Sequence, residues 1–134
     1  MTPKEIQSLI DRFPLTLSEL RLPPGARITT PLAERGIECG PGWSMLLEGL
    51  FAKLEPLFAA QLAASPGQKV GLSQVKEKFG ALRVYVESQM TDEIRAAIGL
   101  AEEQSKGICE VCGAPGRISG KWMACRCEQH TNRK

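Results

Sequence analysis

The chain contains a single histidine, which excludes any mechanism that needs two imidazoles. It has no apolar run near the ~18 residues that a bilayer-spanning helix requires, so no membrane span is expected. An apolar signal-peptide core is also missing. Lys4, Glu5, Asp11 and Arg12 interrupt the short hydrophobic stretches at the start, so no export signal is predicted. Nor does one sign of charge dominate. The formal net charge is only +2, far from the strongly basic footprint of a dedicated nucleic-acid domain. What is present is ordinary for a globule: 134 residues, 43% hydrophobic and 24% charged. That is enough for one domain burying about two thirds of the surface its unfolded chain exposes. Five cysteines without an export signal point to a reducing, cytoplasmic setting, where they serve as metal ligands more often than as disulfides.

The charge is unevenly placed. Lys106 to Lys134 holds six basic and two acidic residues, net +4, and the rest of the chain is −2. A divalent cation with three thiolates would reduce the segment to about +3, by the charges of the ligands such a site uses.

Local patterns predict the elements. Thr2, Pro3 and Glu5 form a helix-start signature, the stripe Ile6, Leu9, Ile10 and Phe13 follows, and Pro14 discourages continuation. Five prolines between residues 14 and 42 predict an irregular segment anchored by Leu15, Leu17, Leu20 and Leu22. From Trp43 to about Ala64, Trp43, Leu46, Leu47, Leu50, Leu54, Leu57 and Phe58 give a wide apolar helix face, which Pro56 is expected to kink or divide. Leu82, Val84 and Val86 alternate with Arg83, Tyr85 and Glu87. They predict a strand that pairs with a weaker one over Val70 to Phe79 through a turn at Gly80. Thr91, Asp92 and Glu93 then open a helix with Ile94, Ala97, Ile98 and Ala101 inward, stopping at Gly107.

The C-terminal segment carries the chemistry. Cys109 and Cys112 form a C-x2-C pair, and after fourteen intervening residues Cys127 and His130 form C-x2-H. Two short pairs joined by a loop suit tetrahedral zinc, and Gly113 suits the backbone turn after the first pair. A redox dithiol is disfavoured because the pair follows a helix and a second pair waits at ligand spacing. Haem attachment would need histidine where Gly113 stands. Simple buried thiols are the remaining bland reading. Cys125 could replace Cys127, but the resulting C-x4-H spacing is looser, leaving Cys125 as a spare thiol near the site. Three thiolates and one imidazole describe a closed, structural Zn2+ site with no position for a reactive water. The deaminase pattern H-x-E is absent after His130, and an HNH-type nuclease would need a second histidine.

Three further features can be weighed in the same way. Trp122 is expected to pack the zinc module onto the helical body, with an exposed contact as the alternative. Cys39 precedes a helix start, where a thiol can be activated, but no free histidine is left to serve it, so a buried thiol is expected. Lys76, Lys78 and Arg83 flank the hairpin turn and could join Arg117, Lys121 and Arg126 in a partner-binding face; the alternative is a solvated surface.

Three blocks together carry a resemblance: Cys39-Gly40-Pro41-Gly42-Trp43, the stretch Gln74 to Arg83 (QVKEKFGALR), and Cys109, Cys112, Trp122, Cys127 and His130. Over about residues 39–130 the chain resembles a group of small uncharacterised bacterial and phage-borne proteins. A threonine is usual in that group where Cys125 stands, which favours Cys127 as the ligand, and a second glycine is usual where Ala81 stands. The resemblance implies a zinc-binding accessory protein of mobile elements. By association alone it implies an inhibitor of a host defence complex such as a CRISPR effector.

The expectation is therefore one α+β domain over residues 1–134. A small helical body with a β-hairpin (1–106) carries an integrated module like a zinc ribbon or knuckle (107–134). Its expected function is non-enzymatic: binding and modulating a host protein complex, with one structural zinc per chain. A nucleic-acid-binding regulator using the basic zinc module is the alternative, and a thiol- or metal-dependent enzyme the third reading.

Overall fold

The computed structural model describes residues 1–131. Arg133 and Lys134, two of the cations counted above, lie outside the described residues. The architecture is α+β, in the order α1 (Pro3–Arg12), α2 (Pro31–Arg35), α3 (Ser44–Ala64), β1 (Leu72–Lys78), β2 (Ala81–Val86), α4 (Asp92–Ser105), β3 (Arg117–Ser119) and β4 (Ala124–Arg126). The strands form two separate antiparallel hairpins, β1–β2 and β3–β4. No described helix is long and apolar enough to cross a membrane.

Helix α1 begins as its sequence predicts. Thr2 Oγ1 accepts the Glu5 backbone N–H at 3.1 Å and Pro3 occupies the first turn. Glu5 itself turns toward the Thr2 hydroxyl, which donates to its carboxylate at 3.1 Å. Leu9, Ile10 and Phe13 are buried. The proline-rich segment is more ordered than expected. Thr30 caps α2 by accepting from Ala33 N, with Pro31 at its first position, which repeats the Thr2-Pro3 signal. Of the four expected anchors Leu17 is fully buried and Leu15 and Leu20 pack against the core, but Leu22 faces outward. The Glu55 carboxylate holds this segment to α3, accepting from Leu15 N, Thr16 N and Thr16 Oγ1 at 2.8–3.1 Å.

Helix α3 runs unbroken through Pro56. The reason is positional. Pro56 is exposed, and so is Ala52, whose carbonyl loses its helical donor; water can satisfy it there. The opposite side buries Leu47, Leu50, Phe51, Leu54 and Phe58 and packs against α4.

In the β1–β2 hairpin, Val75 opposes Val84 and Glu77 opposes Leu82, which directs Val75, Leu82 and Val84 into the core against α4. The turn is the two-residue pair Phe79-Gly80, both in the left-handed region (φ 53° and 86°), the geometry that matches strand twist in tight hairpins. Both edges of the hairpin are partly covered. On the β1 side, Glu38 N donates to Val75 O and Glu77 N donates to Glu38 O. On the β2 side, Leu82 N donates to Ser105 Oγ and Val84 N donates to Glu102 Oε2, both from α4. These contacts cover much of each edge and leave little template for another strand.

Candidate metal centre

Helix α4 ends at Ser105, and the chain passes through Gly107 directly into the first cysteine pair. Cys109 N donates to Ala114 O at 2.8 Å and Gly113 N donates to Cys109 O at 2.9 Å, folding Cys109–Ala114 into a tight knuckle. Gly113 sits at φ 83°, the left-handed turn its position predicts. The second pair leaves β4: Cys127 starts a single 3-10 turn over Glu128–His130, and His130 N donates back to Cys127 O at 3.1 Å. Thr131 Oγ1 donates to the same carbonyl at 2.7 Å.

These two turns converge. The ligand atoms of Cys109, Cys112, Cys127 and His130 all lie within 4.8 Å of one another, and the four residues form a cluster that can hold a metal ion. Cys112 Sγ and Cys127 Sγ are 3.7 Å apart, and His130 Nδ1 is 3.1 Å from Cys127 Sγ and 3.7 Å from Cys109 Sγ. A metal–sulfur bond of about 2.3 Å in a tetrahedron implies a sulfur–sulfur edge of about 3.8 Å, close to the spacing found. All five cysteines are free.

The electrostatics favour a cation among these atoms. Burial alone would raise the Cys109 thiol, but backbone N–H groups of Cys127, Cys112 and Val111 hold it well below the ordinary thiol value. Cys112 has the Ala114 N–H favouring its thiolate, yet desolvation and the adjacent Cys127 and Cys109 sulfurs push it up. Crowded sulfurs resist ionising together unless positive charge is placed between them.

The module is fastened to the body by the Cys39–Trp43 block. Gly40 N donates to Glu110 Oε2, Gly42 N donates to Glu110 O, and both bonds are 2.7 Å. Trp43 is fully buried, and its Nε1–H donates to Ile108 O at 2.9 Å. A Cβ on Gly42 would clash with the Cys109 carbonyl, so only glycine lets the two backbones meet this closely. Glu110, between the two ligand cysteines, also pairs with Arg126 at 3.2 Å. The sequence reading did not single out Glu110, because its partners lie about seventy residues earlier.

No family model, curated protein or solved structure matches the chain.

Other candidates fall in different places. Trp122 does not pack the module onto the body; it stands 77% exposed at the β3–β4 turn, and Trp43 performs the docking instead. Cys125 is a thiol near the site and not one of the four clustered residues. It is fully buried in the main core, with its Sγ donating toward the Ser105, Lys106 and Ile108 carbonyls at 3.1–3.4 Å. Burial pushes its thiol up. Lys76 and Arg83 face each other across β1–β2, with Lys78 next on the same face, and Lys121 lies at the β3–β4 turn. Arg117 opposes Arg126 across β3–β4, and the Glu110 carboxylate offsets that pairing.

Cys39 is half-buried, and desolvation, followed by the nearby Glu110 charge, pushes its thiol up to about 12. This overrides any activation by the helix start. In the folded protein Cys39 is expected to resist alkylation near pH 8 and to react only after denaturation. Native-state labelling with peptide mapping checks this, and rapid labelling of Cys39 would show an accessible thiolate.

Proposed function

We propose that Cys109, Cys112, Cys127 and His130 hold one zinc ion as a closed structural centre, and that the chain is a non-enzymatic binding protein kept in shape by it. A set of three thiolates and one imidazole selects a soft, tetrahedral divalent ion. Four protein ligands complete that coordination and leave no position for a substrate or an activated water.

One observation carries this reading. Between Gly107 and Thr131 the buried side chains are Cys109, Cys125 and Cys127. Cys125 joins the main core and Ile108 and Ile118 pack against it, but this apolar burial is small beside the folding free energy of structural zinc, on the order of 10 kcal/mol or more. The resemblance to phage-borne accessory proteins supports a target inside a bacterial host.

Elemental analysis of protein purified under reducing conditions without added chelator is expected to give one zinc per chain. A fully folded, metal-free protein is the result that overturns the reading.

A further inference from the structure

We propose that the outer face of the β1–β2 hairpin, together with the adjoining β3–β4 turn, binds single-stranded nucleic acid. Of seven aromatic residues, Phe13, Trp43, Phe51 and Phe58 are buried. The remaining three, Phe79, Tyr85 and Trp122, are 63%, 44% and 77% exposed. All three fall in this one region. Tyr85 lies on the β2 face that also carries Arg83, directly opposite Gln74 and Lys76. Phe79 occupies the β1–β2 turn, and a Cβ on the adjacent Gly80 would meet Ile118 and the Met123 carbonyl, so this turn abuts the β3–β4 hairpin that carries Trp122.

The rings alternate with cations. Lys78 Nζ lies 5.8 Å from the Phe79 ring centre and Lys121 Nζ lies 5.6 Å from that of Trp122. Among the described residues none of Lys76, Lys78, Arg83 and Lys121 forms a salt bridge. Glu77, the acid nearest the turn, is occupied: its carboxylate accepts from Gly80 N at 2.7 Å. Phe79 and Met123 hold left-handed conformations (φ 53° and 50°) that cost bulky residues free energy. At Phe79 the conformation is the one the two-residue turn requires, and its ring stays exposed.

Exposed rings interleaved with unpaired cations match a ligand that offers a stackable π-face and a negative charge at each repeat, which is unpaired nucleic acid. A duplex hides its base faces, and an acidic protein surface would use the cations but leave three solvated rings without a role. Lys121 and Trp122 belong to the zinc-held module, so that part of the face rests on the metal reading above.

Zinc-loaded full-length chain is titrated against labelled oligothymidylate and oligouridylate, a duplex of equal length and an acidic peptide, with metal content measured on the same sample. Both single strands are expected to bind more tightly than the duplex and the peptide. With three or four phosphates engaged, raising salt from about 50 to about 200 mM should weaken binding about twenty- to fifty-fold. Trp122→Ala and Tyr85→Ala should each weaken binding about tenfold, with zinc content unchanged, and Trp122→Phe should restore most of it. Absence of binding by the zinc-loaded chain overturns the proposal and leaves the metal reading intact, as does affinity indifferent to both alanine variants. Equal affinity for duplex, or tighter binding of the acidic peptide, also overturns it. Oligonucleotide binding by a folded, zinc-free chain would instead overturn the metal reading alone.

Discussion

Cys127→Ser is expected to cost the protein its zinc and most of the order in residues 107–131. On this reading Cys127 supplies one ligand and starts the turn that presents His130, so its loss removes a sulfur and loosens the His130 Nδ1 beside it. The free energy at stake is that of a structural zinc site, on the order of 10 kcal/mol, and it far exceeds what three buried side chains can replace. Cys125→Ser removes an equally buried thiol but no ligand. The serine hydroxyl can still donate to one of the same carbonyls, and about 1–2 kcal/mol is expected, the ordinary range for a conservative core change. Zinc-to-protein ratio and thermal melting of the two variants provide the check. Equal melting shifts, with zinc retained in both, would show that Cys127 is not a ligand.

The second large effect is expected at Trp43. Truncation to alanine empties a fully buried site and removes the donor to Ile108 O. About 3–5 kcal/mol should be lost from the cavity, while Ile108 O keeps the Cys125 thiol as a weaker donor at 3.1 Å. Trp43→Phe keeps much of the volume but loses the N–H, and should cost about 1–3 kcal/mol. In both variants the four ligand side chains are untouched, so the zinc ratio should stay at one while amide exchange accelerates from Gly107 to Gly116. Denaturant unfolding and hydrogen exchange measure the two effects. Stability unchanged in Trp43→Ala would mean that this side chain does not join module to body.

The Cys/His cluster was readable from the chain because ligand spacing is a local pattern. Cys109 with Cys112, and Cys127 with His130, each bring two ligand atoms together through two intervening residues, and no knowledge of the remaining fold is needed. Helices α1 and α4 were readable for a similar reason, since Thr2 and Thr91 cap them within one turn. Long-range packing was not readable. The Cys39–Trp43 block was conspicuous in sequence, yet its role depends on backbone atoms of Ile108, Cys109 and Glu110. Trp122 illustrates the limit of burial tendencies: the body needed one tryptophan against the module, and Trp43 fills that role from the other side of the interface. Helix α2 carried a cap and a proline as clear as those of α1, but the surrounding prolines obscured it. Pro56 misled because the cost of a proline within a helix depends on which side faces solvent, a property of the packing.

The notch formed by Gly40, Gly42 and Trp43 is filled by residues that come about seventy positions later. During synthesis the early half therefore leaves the ribosome with this socket open and its indole without a hydrogen-bond partner. Closure waits for Ile108 to Glu110 to emerge, so the Gly40–Trp43 segment reaches its final packing only after they have been made.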